Sequence, residues 1–205
     1  MRGPVTIAVT GPFASGKSTF VHLLGDLPDT ETASADEMVH HLLKNDSKAI
    51  SRITDRFGED VRGADDIDRK ALGSKVFGDA EALRDLEEIL HPLVRDETDR
   101  RIAASDARIF VVEIPLLFET DRDEDFDYTV AVTVPDQRRR AWSEERGVDE
   151  AALRAIEARQ LTGEEKAGRA DLVVQNDGDL DRLREQAECI GRRISREGGP
   201  DDHLR

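Results

Sequence analysis

Short apolar runs recur along the chain and alternate with stretches in which apolar residues repeat every three or four positions. The first pattern indicates buried parallel strands, and the second indicates amphipathic helices. The alternation predicts a three-layer α/β fold with a parallel five-stranded sheet and right-handed crossover connections. The predicted strands are Val5–Val9, Glu31–Ser34, Ile109–Ile114, Tyr128–Val134 and Leu172–Val174.

Two longer segments have a helical pattern and contain no strong strand. The first covers residues 44–102 approximately, and the second, rich in Arg and Glu, covers about 138–169. We expect two helical insertions, both within one domain of residues 1–205. Pro92 is predicted to begin a new helix after one that ends near Leu90. The tail, residues 197–205, is predicted to be disordered.

A glycine-rich segment directly follows the first predicted strand and reads Gly-Pro-Phe-Ala-Ser-Gly-Lys-Ser. It matches the phosphate-binding P-loop, GxxxxGK[ST], at every fixed position, and a helix is predicted to begin near Lys17. Backbone N–H groups of such a loop, with the positive end of the helix, bind phosphates. Lys17 is expected to bridge the β- and γ-phosphates of ATP, and the Ser18 hydroxyl to bind Mg²⁺. The predicted nucleotide-binding residues are Gly11, Ala14, Ser15, Gly16, Lys17, Ser18 and Thr19.

The P-loop alone does not distinguish kinases, GTPases and motor ATPases. GTPases recognise guanine with an Asn-Lys-x-Asp motif after a strand, but the segment Gln175–Gly178 after the last predicted strand lacks the lysine. Large motor ATPases need a longer chain than 205 residues. The sequence therefore predicts a small P-loop kinase of the P-loop NTPase fold, which phosphorylates a hydroxyl group of a small molecule, the acceptor. In such a kinase we expect the helical insertion of about 44–102 to bind the acceptor, and the helical segment of about 138–169 to be the lid.

Two acidic residues lie at the ends of predicted strands, where a P-loop kinase needs carboxylates. Asp36 is the candidate base that orients the acceptor hydroxyl and accepts its proton. Its alternative role is the N-cap of a helix that begins at Glu37. Glu113 is a candidate ligand of Mg²⁺, through water, and its alternative is a strand-end acid that faces solvent.

The formal net charge of −15, from 30 basic and 45 acidic residues, changes the list of expected partners. An acidic surface repels phosphate backbones, so nucleic acid is not expected as a partner, and any phosphate site must be locally basic. No apolar run reaches membrane-spanning length, and the single cysteine, Cys189, permits no intramolecular disulfide. We expect a cytoplasmic protein with no membrane partner, either a monomer or a weak homo-oligomer.

Several short motifs, taken in order, resemble the dephospho-coenzyme A kinase family. With the P-loop they cover most of the chain: Asp-Glu-Met-Val-His at 36–40, Phe-Gly at 57–58, Asp-Arg-Lys-Ala-Leu at 68–72 with Val-Phe at 76–77, His-Pro-Leu at 91–93, Pro-Leu-Leu-Phe-Glu at 115–119, and the lid end at 160–171. The resemblance implies transfer of the γ-phosphate of ATP to the ribose 3′-hydroxyl of dephospho-CoA, the last step of coenzyme A synthesis.

The resemblance also implies roles for single residues. Asp36 falls on the family's proposed base, and Arg140 resembles the family arginine that reaches the phosphates, with Arg139 as the alternative. The implied substrate-binding residues are His40, Arg69, His91, Lys166 and Arg169. Capping of a helix remains an alternative for His91, and ion pairs remain an alternative for Arg69 and the lid arginines.

Two other functions stay open at this point. The first is a kinase of the same fold that acts on another acceptor, such as a nucleoside monophosphate or a sugar acid, which a panel of acceptors would reveal. The second is a nucleotide-binding protein that transfers nothing. Loss of Lys17, Ser18 or the facing acid would mark the second function, and the sequence contains all three.

Overall fold

The computed structural model describes residues 3–197, and within them five strands form one sheet in which every neighbouring pair is parallel. The order across the sheet is β2-β3-β1-β4-β5. The predicted parallel sheet is confirmed, and each predicted strand is present to within one residue at either end. The strands are β1 Val5–Thr10, β2 Thr30–Ser34, β3 Ile109–Glu113, β4 Tyr128–Thr133 and β5 Leu172–Gln175.

Helices account for most of the described residues outside the sheet. The chain divides into two compact units. One unit contains the sheet and runs to Ser34 and again from Ser105, and the other is Ala35–Ala104. Residues 198–205 of the predicted disordered tail lie outside the described residues. The helices are α1 Lys17–Gly25, α2 Ala35–Asn45, α3 Ser47–Phe57, α4 Arg69–Val76, α5 Ala80–Ala104, α6 Asp136–Glu145, α7 Glu150–Glu157, α8 Gly163–Arg169 and α9 Leu180–Glu197, with 3-10 turns at Glu59–Val61 and Asp123–Asp125.

The core of the sheet unit lies between the strands and two helices, α1 and α9. Parallel strands that are covered on both faces need nearly continuous apolar sequence, and the central strands β1 and β4 have it. Among residues 3–197, the helices all lack the extended apolar stretch that a membrane-spanning helix needs. The buried cluster includes Ile7, Val9, Phe20, Leu24, Val111, Val130, Val132, Val174, Leu183, Ala187 and Ile194.

Two aspartate–threonine pairs form the same set of three hydrogen bonds at the amino ends of the strands. One pair joins β1 to β4, and the other joins β4 to β5. Asp127 Oδ2 accepts hydrogen bonds from the N–H and hydroxyl of Thr6 at 2.8 and 2.9 Å, and Asp127 N–H donates to that hydroxyl at 3.0 Å. Asp171 and Thr129 repeat the arrangement at 2.7, 2.7 and 3.0 Å. A slip of one residue would break all three bonds, so these pairs set the register of β1, β4 and β5.

The second unit is a helical subdomain in which α5 packs against α2, α3 and α4. The prediction that a new helix begins at Pro92 is wrong, because α5 continues through that residue. Proline removes one backbone hydrogen bond and crowds the preceding turn, at a cost of about 3 kcal/mol. Burial of several apolar side chains on either side of Pro92 offsets that cost, namely Ile89, Leu90, Leu93 and Val94.

One carboxylate near the end of α5 is largely buried and binds two arginines. Glu97 accepts hydrogen bonds from Arg100 Nε and Nη2, both at 2.8 Å, and from Arg101 Nε at 2.7 Å. The bonds from Arg100 contribute most, and they lower the pKa of Glu97 to about 2, although burial acts in the opposite direction.

We predict that Glu97→Gln lowers the free energy of unfolding at pH 7 by about 1–2 kcal/mol. The folded carboxylate has a lower pKa than the unfolded one, about 4.3, so its contribution is present above that pH and is lost as the pH falls towards 2. Urea unfolding at pH 7, 5 and 3 measures the difference between the two proteins. Glu88→Gln, at an exposed position of the same helix, is the control. A difference that stays constant over this pH range would contradict the prediction.

Candidate active site

The P-loop connects β1 to α1, and its backbone has an unusual conformation that two glycines permit. Gly11 and Gly16 have φ values of 149° and 89°. A Cβ atom would lie 2.3 Å from Val132 O at position 11 and 2.2 Å from Asn176 Nδ2 at position 16. Both motif glycines are therefore required by close approach as well as by φ. The predicted start of the helix at Lys17 is confirmed.

A third residue of the loop has a left-handed backbone although it is not glycine. Ala14 has a φ of 58°, a conformation that costs of the order of 1 kcal/mol for a residue with a Cβ atom. The turn that it makes is closed by a hydrogen bond from Ser15 N–H to Pro12 O at 3.2 Å. The Ser15 hydroxyl is buried, and no group within residues 3–197 forms a hydrogen bond with it.

The side chain of Lys17 is buried and bends back over the loop. Its ammonium group donates to Pro12 O at 3.0 Å. Only 7% of the residue is exposed, so the charge lies within the loop and does not extend into solvent. The predicted phosphate ligand is thus already positioned among the backbone groups of the P-loop.

Asn176, directly after β5, supports the loop from the neighbouring part of the sheet. Its Nδ2 donates to Ser15 O at 2.9 Å, and its own N–H donates to Thr133 O at 2.8 Å. The side chain is buried. Sequence reasoning did not assign Asn176 to the site, although a polar residue that directly follows a buried strand was a usable signal.

Ser18 and Glu113, the two predicted Mg²⁺ ligands, are in direct contact. The Ser18 hydroxyl donates to Glu113 Oε1 at 3.0 Å. Glu113 is the last residue of β3 and pairs with Val9 in the neighbouring strand β1. It therefore faces the P-loop, and the two side chains present hard oxygen atoms, the ligand type that Mg²⁺ prefers.

A cavity of about 530 Å³ adjoins the P-loop on the side of Asn176. The Arg138 guanidinium lies 5.6 Å from the centre of the Trp142 ring and donates to Gly178 O at 2.6 Å. The cavity thus combines a flat aromatic group with polar groups, as a nucleobase requires. Sequence reasoning missed it because the lining comes from three separate segments: Gly16, Thr19, Arg138, Trp142, Glu145, Arg146, Asn176, Gly178, Asp179, Leu180 and Leu183.

The two candidate arginines of α6 have different surroundings. Arg139 is buried, donates to Asp136 at 3.0 Å and forms an ion pair with Glu157. Its Nη1 is buried without a hydrogen-bond partner within residues 3–197. Arg140 is about half exposed, and its guanidinium lies 3.9 Å from Glu150. Both line a second cavity of about 840 Å³, which also includes Pro12.

Lys166 and Arg169, on α8, both contact the segment 115–119 that follows β3. The Lys166 ammonium is fully buried and donates to Pro115 O at 2.7 Å and to Glu119 at 2.8 Å. Burial lowers the pKa of Lys166, and the Glu119 carboxylate acts in the opposite direction. Arg169 lies 4.6 Å from the centre of the Phe118 ring and donates to Phe118 O at 3.3 Å. Protein groups thus engage both cations.

The remaining predicted site residues belong to the helical unit and are exposed there. Asp36 and His40 lie four residues apart on α2 and therefore share one face. Because α2 begins at Ala35, the interpretation of Asp36 as the cap of a helix from Glu37 is wrong. Arg69 is the first residue of α4. His91 lies inside α5, so the interpretation of His91 as a helix cap is also wrong.

Comparisons with known proteins point to one family. The family model described as dephospho-CoA kinase matches residues 5–182. A dephospho-CoA kinase from Syntrophotalea carbinolica is 34% identical over 208 aligned positions, which cover 97% of this chain and 97% of that protein.

Two solved structures are also similar to this chain. The dephospho-CoA kinase from Campylobacter jejuni superposes with a TM-score of 0.62 at 26% identity, covering 92% of this chain and 96% of that one. A crystal structure from Thermus thermophilus gives a TM-score of 0.79 at 30% identity and covers 94% of this chain and 99% of that one. Because the family model spans most of the chain and the curated relative exceeds 30% identity over nearly its full length, the chain belongs to the dephospho-CoA kinase family.

Proposed function

We propose that this protein transfers the γ-phosphoryl group of ATP to the ribose 3′-hydroxyl of dephospho-CoA, which yields coenzyme A and ADP. The observation that carries the proposal is the family match over residues 5–182. That range contains the P-loop, the Ser18–Glu113 contact and the candidate base. No feature of the described residues favours another acceptor or a protein that binds nucleotide without transfer. The cytoplasmic location of this protein and its monomeric or weakly oligomeric state remain predictions.

The P-loop provides the groups that a triphosphate needs. Phosphate oxygens would accept hydrogen bonds from its backbone N–H groups and from the buried Ser15 hydroxyl, which lacks a protein partner within the described residues. Lys17 is assigned to the β- and γ-phosphates. The adenine base is assigned to the cavity beside Trp142, because its aromatic and polar lining suits a purine.

Ser18 and Glu113 are the residues that we assign to Mg²⁺. When bound, the ion neutralises charge that develops on the transferred phosphoryl group. Mg²⁺ commonly takes one or two protein ligands together with phosphate oxygens and waters. This preference agrees with the described residues, among which no group of three or more His, Cys, Asp or Glu residues could hold a metal by itself.

Asp36 is assigned as the base that acts on the acceptor. Its carboxylate accepts the proton of the 3′-hydroxyl while the new bond from that oxygen to the γ-phosphorus forms and the bond from phosphorus to ADP breaks. The acceptor itself is assigned to the helical unit Ala35–Ala104. This unit contains the predicted insertion of about 44–102 and begins before it. The assigned binding residues in that unit are His40, Arg69 and His91.

The segment 138–169 is assigned as the lid that excludes water during transfer. Arg140, exposed beside the larger cavity, is assigned to the transferred phosphoryl group, with the buried Arg139 as the alternative. Lys166 and Arg169 are retained as predicted substrate-binding residues. In the described conformation their contacts with residues 115–119 also support a second role, in which they hold α8 in place.

We predict that release of ADP from ATP rises roughly 100-fold or more when dephospho-CoA is added, because the acceptor replaces water at the reacting centre. A coupled assay that reports ADP measures the rate in the presence of Mg²⁺. A nucleoside monophosphate and a sugar acid such as gluconate are tested separately as alternative acceptors. Equal or greater stimulation by either compound would reject the assignment of the acceptor.

Replacement of the candidate base should separate chemistry from nucleotide binding. We predict that Asp36→Asn lowers kcat by about 100-fold or more, since a positioned base contributes that much, while the affinity for ATP is unchanged. Lys17→Ala should also lose most turnover. Glu37→Gln, an exposed acid in the same first turn of α2, is the control and should retain kcat. Comparable turnover in Asp36→Asn would remove this residue as the base.

A pair of variants separates the two roles of Lys166. Lys166→Met leaves the Glu119 carboxylate without its buried cation, so we predict a loss of about 3–5 kcal/mol in the free energy of unfolding. The double variant Lys166→Met with Glu119→Gln should recover at least half of that loss in urea unfolding. If the recovered protein also regains turnover, Lys166 holds the lid; if it remains inactive, Lys166 binds substrate.

A further inference from the structure

The peptide unit that joins Pro12 to Phe13 in the P-loop is hydrogen-bonded at both ends. Its carbonyl oxygen, on Pro12, accepts from the Lys17 ammonium at 3.0 Å and from Ser15 N–H at 3.2 Å. Its N–H, on Phe13, donates to Gln160 Oε1 at 3.1 Å. A peptide unit is a rigid plane. The bond from Gln160 to the N–H therefore also orients the carbonyl that holds Lys17.

Gln160 lies between α7 and α8, and its position is set by the next residue. Leu161 N–H donates to Glu119 Oε1 at 2.7 Å, and the same carboxylate binds the buried Lys166 ammonium at 2.8 Å. A backbone N–H can only donate, so the carboxamide of Gln160 must direct its oxygen towards Phe13. The contact is thus a specific bond between an anchored segment and the P-loop.

Two further contacts involve the same two residues of the P-loop. A Cβ atom at Gly163 would lie 3.6 Å from Pro12 Cγ, so the start of α8 packs against that proline. The Arg146 guanidinium lies 5.9 Å from the centre of the Phe13 ring. The segment assigned as the lid thus contacts the P-loop at the peptide unit whose carbonyl holds Lys17.

We propose that Gln160 is a positioning residue that acts on Lys17 through the Pro12–Phe13 peptide unit. When the loop between α7 and α8 holds Gln160 in place, the peptide plane and the ammonium bound to it have one orientation. When the segment between α7 and α8 moves, the Phe13 N–H loses its bond to Gln160. The peptide plane and the Lys17 ammonium then no longer have a single orientation. The inference rests on the proposed function only for the assignment of Lys17 to the phosphates of ATP.

A double-mutant cycle on nucleotide affinity tests the proposal. Gln160→Met keeps the length of the side chain and removes the oxygen that accepts from Phe13. We expect it to weaken binding of a non-hydrolysable ATP analogue with Mg²⁺ roughly fivefold, the effect of one neutral hydrogen bond. In a Lys17→Met background the same change should alter the Kd by less than about twofold, because the residue through which it acts is gone.

Trp142 provides the signal for these titrations. It is the one tryptophan of the chain and lines the cavity beside Gly16 and Thr19. Its fluorescence can be followed at millimolar analogue, so weak binding by the Lys17→Met proteins remains measurable. Gln160→Asn is the second variant, since its shorter side chain withdraws the oxygen while it keeps the carboxamide, and the same loss is expected.

Gln186→Met is the matched control. The Gln186 carboxamide likewise accepts from a backbone N–H, that of Gln175 at 3.2 Å, but the bond joins α9 to β5 and not to the P-loop. It should leave the Kd of the analogue unchanged.

The outcomes are distinct. An equal loss of affinity from Gln160→Met with and without Lys17 would show that Gln160 stabilises the loop without acting through the lysine, and would overturn the proposal. An unchanged Kd in both Gln160 variants would also overturn it. The readout needs no acceptor, so stimulation of ADP release by dephospho-CoA tests the proposed function separately. The two ideas can therefore fail independently.

Discussion

The alignment of β1 with β3 and β4 is the constraint on which the sheet unit depends. In a parallel sheet the carboxyl ends of the strands meet at one edge, so residues distant in sequence converge there. Glu113 comes to the P-loop because its strand lies beside β1. Asn176 comes to the P-loop because it directly follows β5, which pairs with β4 in the sheet. The paired hydrogen bonds of Asp127 and Asp171 at the opposite ends of the strands keep this edge in register.

A cation of the lid segment lies at this edge, where Lys166 donates to the hydroxyl of Thr10, the last residue of β1, at 3.4 Å. In the proposed function, a protein of net charge −15 binds two polyanionic substrates. Carboxylates hold the cations of the lid segment in place: Glu119 pairs with Lys166, and Glu157 pairs with Arg139. In each pair the carboxylate fixes the position of the cationic group. Within the P-loop itself, Lys17 provides a further positive charge, and its ammonium donates to Pro12 O at 3.0 Å.

The interpretations that the structure contradicts all came from local rules. Local rules interpreted Pro92 as the start of a helix, and Asp36 and His91 as caps, because each residue type favours a helix end. In the structure α5 runs through both Pro92 and His91, and α2 begins before Asp36. The apolar stripe of a long helix that packs against three others outweighs the preference of a single residue. Propensity operates within a few residues, whereas packing sums over the whole helix.

The sequence by itself determined the α/β class, the five strands and the phosphate-binding loop, because these depend on short-range periodicity and on glycines that no other residue can replace. Only the tertiary structure brought two pairs of residues into contact. Asn176 donates to Ser15 O, and Gln160 accepts from Phe13 N–H. Each of these contacts joins residues on separate elements. Their geometry follows from how strands and helices pack, and no local pattern encodes that packing.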